Sequence, residues 1–233
     1  MPNIIYGNNT CLEAINNNRV IKAYVLNNNN LKNTLINKKI DYEVVDNNYL
    51  NKLTKNANHQ GIVCKCKEYK LFELNDLLKE SNGFIVMLDG ITDPHNFGAI
   101  IRTCEAAGVD GIIYKKDNSV KVNDTVAKVA SGALEYVKIC EVVNLNDTLK
   151  KLKEKNYWAV GTSDKGDKMY DEIDYNCNIV LVIGSEGDGI SRLVKENCDF
   201  LVKLPMNGRI NSLNASVACG IFVYHILNNR VIH

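Results

Sequence analysis

Along the first third of the chain the apolar positions switch between the helical and the strand period in short pieces. The spacing predicts a helix near Asn9 to Asn17, a β-branched strand at Val20 to Leu26, a helix near Leu31 to Lys38 and a strand at Tyr42 to Val45. A helix near Asn48 to Lys55 and the alternating strand Gly61 to Lys67, introduced by Asn58-His59-Gln60, complete a small α/β module. As residues, His59 and Gln60 read as parts of a turn. The segment Glu68 to Asn82 is charged and reads as a linker merging into a helix. The domain boundary is therefore expected near residue 76, with modules of residues 1–76 and 77–233.

Beyond it the alternation becomes regular. Phe84 to Leu88, Gly111 to Tyr114, Tyr136 to Cys140, Tyr157 to Gly161, Ile179 to Ile183 and Phe200 to Leu204 are short apolar runs separated by helical patterns. Runs without polar alternation belong to strands buried on both faces, so an α/β fold with a mostly parallel sheet is expected. Such sheets bind ligands beyond the carboxyl ends of their strands.

Composition narrows this picture only slightly. With 233 residues, 45% of them apolar, the chain can bury one good core or two smaller ones. No apolar run approaches the roughly 20 residues that span a bilayer, and MPNIIYGNNT lacks a basic flank followed by an apolar stretch, so a soluble cytoplasmic protein without a membrane partner is expected. The 8 cysteines are scattered, only Cys64 and Cys66 lie close, and no C-x-x-C pair occurs, so they read as reduced, mostly buried small apolar residues. His59, His95, His225 and His233 show no ligand spacing, and no metal is expected. Net charge is +1, far from the basic excess usual in nucleic-acid binders. Residues 1–76 carry 10 Lys+Arg against 7 Asp+Glu, so +3, and residues 77–233 carry 18 against 20, so −2. That split fits an RNA-facing N-terminal part and equally well ordinary solvated charge. The asparagine run Asn27 to Asn30 belongs in loops and caps, and biased base composition of the source genome accounts for it as well as any function.

Three segments carry chemistry. LDGITDPHNFGAIIRTCEAAG, from Leu88 to Gly108, offers Asp93 as a cap and Pro94 for a first helical turn, with Asn96 at the mouth and Arg102 nearly two turns deeper. Asn96 could be a second cap and Arg102 a surface charge, yet an arginine flanked by Ile100, Ile101 and Cys104 is costly unless paired. IVLVIGSEGDGISRL, from Ile179 to Leu193, is an apolar strand followed by a Gly-rich turn that is neither G-x-G-x-x-G nor a P-loop. Its Glu186 opposes phosphate and suits a cationic ligand, or else a helix N-terminus. LPMNGRINSLNASVA, from Leu204 to Ala218, reads as a binding loop entering a last helix, Leu213 to Asn228, with Asn211 or Ser212 as an ordinary N-cap. Val217, Ile221, Phe222 and Val223 make that helix apolar, as dimer surface or as a core helix would be.

In this order the three segments resemble the signature motifs of the SpoU (TrmH-type) RNA 2'-O-ribose methyltransferases of the SPOUT superfamily, and the resemblance covers about the last two thirds of the chain. It implies a C-terminal trefoil knot, S-adenosyl-L-methionine as cofactor, a homodimer and an RNA substrate. It assigns Gly184 and the backbone at Leu204 and Leu213 to the cofactor, and Asn96, Arg102, Glu186, Ser212 and Asn214 to the active site. It further implies a ribosomal-protein-like RNA-binding domain at the N-terminus, where an HQG-type sequence recurs, and is strongest to the two-domain 23S rRNA guanosine enzymes. The family's assignment of the proton acceptor falls on Arg102. A guanidinium is a poor base, so a clamp on phosphate and developing alkoxide suits it better, leaving the proton to Glu186, Ser212 or water. Transfer RNA is the rival substrate and a non-catalytic assembly factor the rival class. A dinucleotide enzyme lacks its fingerprint and its distal ribose carboxylate.

Overall fold

The computed structural model describes residues 3–230. The first elements are β1 (Asn3–Tyr6), α1 (Asn8–Asn16), β2 (Val20–Val25), α2 (Lys32–Asn37), β3 (Tyr42–Val44), α3 (Asn47–Thr54) and β4 (Ile62–Cys66). Then come β5 (Phe84–Asp89), α4 (Pro94–Ala106), β6 (Gly111–Lys115), α5 (Asp124–Ala130), β7 (Ile139–Val142) and α6 (Leu145–Glu154). The chain closes with β8 (Trp158–Thr162), β9 (Lys168–Met169), β10 (Ile179–Gly184), α7 (Arg192–Glu196), β11 (Phe200–Lys203) and α8 (Ala215–Asn229). Two compact units result: unit 1 takes the chain up to Lys70 together with Val122–Tyr136, and unit 2 takes Leu71–Lys121 and the chain from Val137 onward.

Unit 1 is built on the sheet β1-β4-β2-β3, with β4 antiparallel to β1 and β2, and β3 parallel to β2. Strand β4 is central, which is why Ile62, Val63, Cys64 and Cys66 are all fully buried where a half-exposed strand was expected. Helix α5 belongs to this unit although unit 2 elements flank it in sequence. Its Val126, Ala127 and Ala130 are buried, and Thr10 Oγ1 donates to the Ala127 carbonyl at 3.5 Å. Arg19 secures the same segment: Nε donates to both Glu135 oxygens at 2.8 and 3.0 Å, Nη1 donates to the Lys67 carbonyl at 2.6 Å, and the guanidinium lies 3.8 Å from the Tyr69 ring centre.

Unit 2 holds a sheet in the order β7-β6-β5-β10-β8-β11-β9, every neighbouring pair parallel. The continuous apolar runs of β5 and β10 occupy its middle, five of six residues buried in each. On one face Ile85, Met87, Val180 and Val182 pack with Leu149 and Leu152 of α6. Their alternate neighbours turn to the other face, where α8 meets β10 and packs on α4. The expected linker is not free: Leu77, in a 3-10 turn at Leu74–Leu77, is buried in this core, and Phe72 N donates to the Ile139 carbonyl at 2.8 Å. The strand expected from Tyr136 begins only at Ile139, because Gly132, at φ 100°, turns the chain out of α5 into a short 3-10 turn at Ala133–Glu135. Strands β1 and β9 go unanticipated.

Candidate active site

The site is set by the register of two strands. Gly184 ends β10 level with Asp89 at the end of β5, so the loops that follow leave the sheet side by side. Ser185 and Gly189 then exchange both backbone hydrogen bonds at 3.1 Å, closing a tight hairpin with Glu186, Gly187 and Asp188 at its tip. Ser191 N donates to Asp89 Oδ2 at 2.7 Å and ties the hairpin's exit back to β5. Gly184 is required by this closure: a Cβ there would stand 2.2 Å from the Gly189 carbonyl carbon and 2.4 Å from the Ile190 nitrogen. Backbone cannot yield as a side-chain tip would. A side chain at Gly184 would thus collide with the hairpin itself.

Beside this hairpin lies a cavity of about 520 Å³, in the range of small-molecule sites. The turn Thr162–Lys165 after β8 and the segment Leu204–Leu213 after β11 supply its other walls. All three walls start at carboxyl ends of parallel strands. Gly184, Glu186, Leu204, Ser212 and Leu213 line it together. From Pro205 to Leu213 no backbone group bonds to another backbone group among the described residues, and Met206, Asn211, Ser212 and Leu213 of this stretch line the cavity. Its charges are mixed, with Asp164, Glu186 and Asp188 against Lys165, Lys195 and Lys203. A ligand carrying both a cation and a carboxylate fits such a lining.

Asn96, Glu186 and Asn214 form one hydrogen-bonded group. Glu186 Oε1 accepts from Asn96 Nδ2 at 2.9 Å, from Asn214 Nδ2 at 2.6 Å and from the Ala215 backbone N–H at 3.3 Å. Asn214 Nδ2 also donates to Asn96 Oδ1 at 2.8 Å. Bonds to a carboxylate are worth about 1.5–3 kcal/mol each, enough to hold Glu186 in one orientation. Oε2 makes no hydrogen bond among the described residues. Glu186 also sits at the N-terminus of α8, where a negative charge gains about 0.3–1 kcal/mol from the helix dipole.

The N-cap of the last helix is Asn214, not Asn211 or Ser212, and the helix begins at Ala215. Asn214 Oδ1 accepts from Ser216 N at 3.0 Å and Val217 N at 3.3 Å while its amide nitrogen serves Glu186, so one side chain caps the helix and builds the site. Asp93 caps α4 as expected, accepting from His95 N at 3.0 Å. Arg102 stands apart from this group. Ile100, Ile101 and Cys104 are fully buried, but Arg102 projects from the opposite side of α4 into solvent and makes no hydrogen bond or ion pair among the described residues. The expectation that it needs a partner is corrected by this helical phase. Ser212 is exposed at the cavity wall, without a hydrogen-bond partner among the described residues.

Motif and period alone pass over the turn Thr162-Ser163, where Thr162 Oγ1 donates to the Val182 carbonyl at 3.1 Å and Lys195 Nζ to Ser163 Oγ at 3.3 Å. Its position after an apolar strand was the available signal. Among the described residues no cluster of His, Cys, Asp or Glu could hold a metal; His233 lies outside them. Burial pushes the thiols of Cys66 and Cys198 up to about 12 and that of Cys140 to about 11, so they are poor nucleophiles at neutral pH. No described helix is long and apolar enough to cross a membrane.

Residues 83–224 match the model of the SpoU rRNA methylase family, and residues 4–72 match that of the RNA 2'-O ribose methyltransferase substrate-binding domain. The Bacillus subtilis protein YacO, named for the TrmH family of tRNA/rRNA methyltransferases, is 46% identical over 74% of this chain and 71% of its own length. An AdoMet-bound rRNA methyltransferase from Sinorhizobium meliloti superposes with a TM-score of 0.85 at 23% identity, over 97% of this chain and 86% of that one. A TrmH/SpoU tRNA modifying enzyme of A. aeolicus, 31% identical, superposes with a TM-score of 0.59 over 67% of this chain and 78% of its own. With its family model spanning the strands, hairpin and loop that build the cavity, the chain belongs to the SpoU rRNA methylase family.

Proposed function

We propose that the protein transfers a methyl group from S-adenosylmethionine to a ribose 2'-hydroxyl of RNA, at a guanosine of large-subunit rRNA. The observation that carries this reading is the junction of a cavity walled by unengaged backbone with a carboxylate locked by two asparagines at its edge. The rRNA assignment draws on coverage, since the rRNA methyltransferase spans 97% of the chain and the tRNA enzyme 67%.

When bound, S-adenosylmethionine supplies a methyl carbon activated by a sulfonium. The backbone at Leu204 and Leu213 would hold its adenine, and Gly184 would form part of the cofactor wall. Asn96 and Asn214 occupy Glu186 Oε1, which leaves Oε2 to take the 2'-hydroxyl proton as the oxygen attacks. Arg102, exposed and unpartnered among the described residues, clamps the nucleotide's phosphate and the alkoxide as it develops. Asn96 orients the hydroxyl, and Ser212 at the cavity wall is the alternative proton acceptor.

Residues 1–76 were expected to choose the RNA and 77–233 to do the chemistry; with α5 packed on the first sheet, the division proposed is unit 1 for the RNA and unit 2 for cofactor and chemistry. Two copies associate through α8, whose Phe222 and Val223 are buried while Val217, Ile221 and Tyr224 stay exposed at spacings of one helical stripe. The trefoil knot and a cytoplasmic setting, which suits eight free cysteines, complete the proposal. Tritiated S-adenosylmethionine offered with separated rRNA and tRNA pools tests it. Label mapping to a 2'-O-methylguanosine in rRNA is expected, label confined to tRNA would move the substrate, and label in neither would leave an RNA-binding protein without catalysis.

A further inference from the structure

The asparagine run at Asn27 to Asn30 and the His59-Gln60-Gly61 turn are far apart in sequence, and unit 1 brings them together. Asn8, Asn28, Asn29, Asn30 and Gln60 surround a recess of about 320 Å³ backed by Leu26 and the Gly61 backbone. Five carboxamides line it and no charged group does. A phosphate would find no cation inside, whereas the edge of a nucleobase presents the mixed donors and acceptors that carboxamides match.

Four of the ten amide ends hold the recess and six stay open. Asn29 is fully used: Oδ1 accepts from Leu31 N at 2.9 Å, and Nδ2 donates to Asn8 Oδ1 and to the Gln60 carbonyl, both at 3.1 Å. Gln60 Oε1 accepts from Asn8 N at 2.9 Å and from Lys128 Nζ at 3.3 Å. That leaves the Asn8 and Gln60 amide nitrogens, and both ends of Asn28 and Asn30, without partners among the described residues. Gln60 sits at φ 55°, a strained value for a side-chain-bearing residue, and Gly61 at φ 83°. The strain is held by Gly61 N donating to His59 Nδ1 at 3.0 Å. Lys128, at the margin beside Gln60, is placed for the phosphate of a nucleotide whose base enters.

We infer that this recess is a base-reading subsite that takes one unpaired nucleobase of the RNA, its edge on Asn28, Asn30 and Gln60 and its phosphate on Lys128. The inference rests on RNA being the substrate, as proposed above. Unpaired bases are the part of RNA that proteins read by their edges.

The test is anisotropy of labelled single-stranded homopolymers of A, C and U, and of a blunt RNA duplex, with the full-length protein. Wild type is expected to prefer one homopolymer over the others and over the duplex. The double variant Asn28→Ala/Asn30→Ala, whose wild-type side chains are exposed and unpartnered, is expected to keep its fold and its S-adenosylmethionine affinity and to lose that preference by about tenfold. No preference in wild type, or the same preference in the variant, would overturn the subsite, as would uniform weakening on every homopolymer. An exclusive protein occupant would show as no RNA binding dependent on these residues, and that outcome overturns the subsite too. Selective binding lost in the variant, alongside a wild type that methylates no RNA, would refute the methyl-transfer reading and leave the subsite standing.

Discussion

The cavity of unit 2 and the recess of unit 1 are both made by loops at the ends of strands, yet they use their polar groups in opposite ways. In unit 2 one carboxylate oxygen collects three donors and two asparagines bond each other, so the group is rigid and leaves only Glu186 Oε2 open. In unit 1 a few amides are consumed to seat Gln60 and the others are left open. Saturated polar groups position, as chemistry demands to within fractions of an ångström; open ones recognise. The backbone makes the same division. Unit 2 depends on clearance at Gly184, whereas unit 1 accepts a left-handed glutamine.

The largest effect that separates the two is expected from Gly184→Ala. Its Cβ would meet main-chain atoms of Gly189 and Ile190, so the hairpin must move and the cavity wall with it. S-adenosylmethionine affinity measured by calorimetry should fall on the order of a hundredfold, while RNA binding through unit 1 persists. Affinity within a few-fold of wild type would mean that the hairpin gives way freely and is not the rigid wall described.

Within unit 2, Arg102 and Asn214 sharpen the contrast between open and saturated groups. Arg102→Ala should lower methyl transfer by roughly 10²–10³ with melting temperature and cofactor affinity nearly unchanged, because the side chain has no partner to lose. Asn214→Ala should lower both rate and stability, the latter by about 1 kcal/mol for the lost cap alone. Near-normal turnover in Arg102→Lys would rule out bidentate recognition, since lysine is a point charge.

Unit 1 offers the next effect. Glu135→Gln breaks a buried pair with Arg19, and breaking such pairs costs about 3–5 kcal/mol, here a fall of roughly 6 °C or more in the melting transition. A chain cut to begin at Asn75 loses more, because Val126, Ala127 and Ala130 of α5 are then stripped of the β1 and α1 surfaces they pack on. Such a fragment should aggregate. If it instead melts as sharply as the full chain, α5 does not depend on unit 1.

What could be read beforehand follows from the same physics. The apolar runs of β5, β6 and β10 are legible because strands buried on both faces need no alternation, and Asp93-Pro94 because a cap and a first-turn proline are local signals. Two-residue β9 has too few positions for any period. The capping role of Asn214 was hidden because Asn211, Ser212 and Asn214 are all good caps, and the choice falls to a carboxylate 28 positions away. Arg102 was misjudged for want of helical phase. The allegiance of α5 to unit 1 rests on its packing against β1 and α1 and on the Arg19–Glu135 pair just beyond it, 116 positions apart, which no local pattern connects. The asparagine run looked like composition because its meaning lies in the distant turn it faces.

The smallest expected effect lies in that turn. His59 is buried, its Nδ1 accepting from Gly61 N at 3.0 Å and its Nε2 placed to donate to Asn51 Oδ1 at 3.1 Å. Burial first, and the Lys128 charge second, hold its pKa below the ordinary 6.5. Between the two values the unfolded chain binds a proton that the folded chain does not, so stability rises with pH across that window. It is fully present above about pH 6.5 and is lost as the pH falls through the folded value. Protonation would also place a hydrogen on Nδ1 against the Gly61 N–H and release Gln60. Thermal melting at about pH 7.5 and about pH 5.5 should show a loss on acidification that is smaller in His59→Gln, and base preference on homopolymers should weaken at the lower pH while cofactor binding in unit 2 does not. Equal acid sensitivity in wild type and variant would assign the change to other groups and leave His59 a packing residue only.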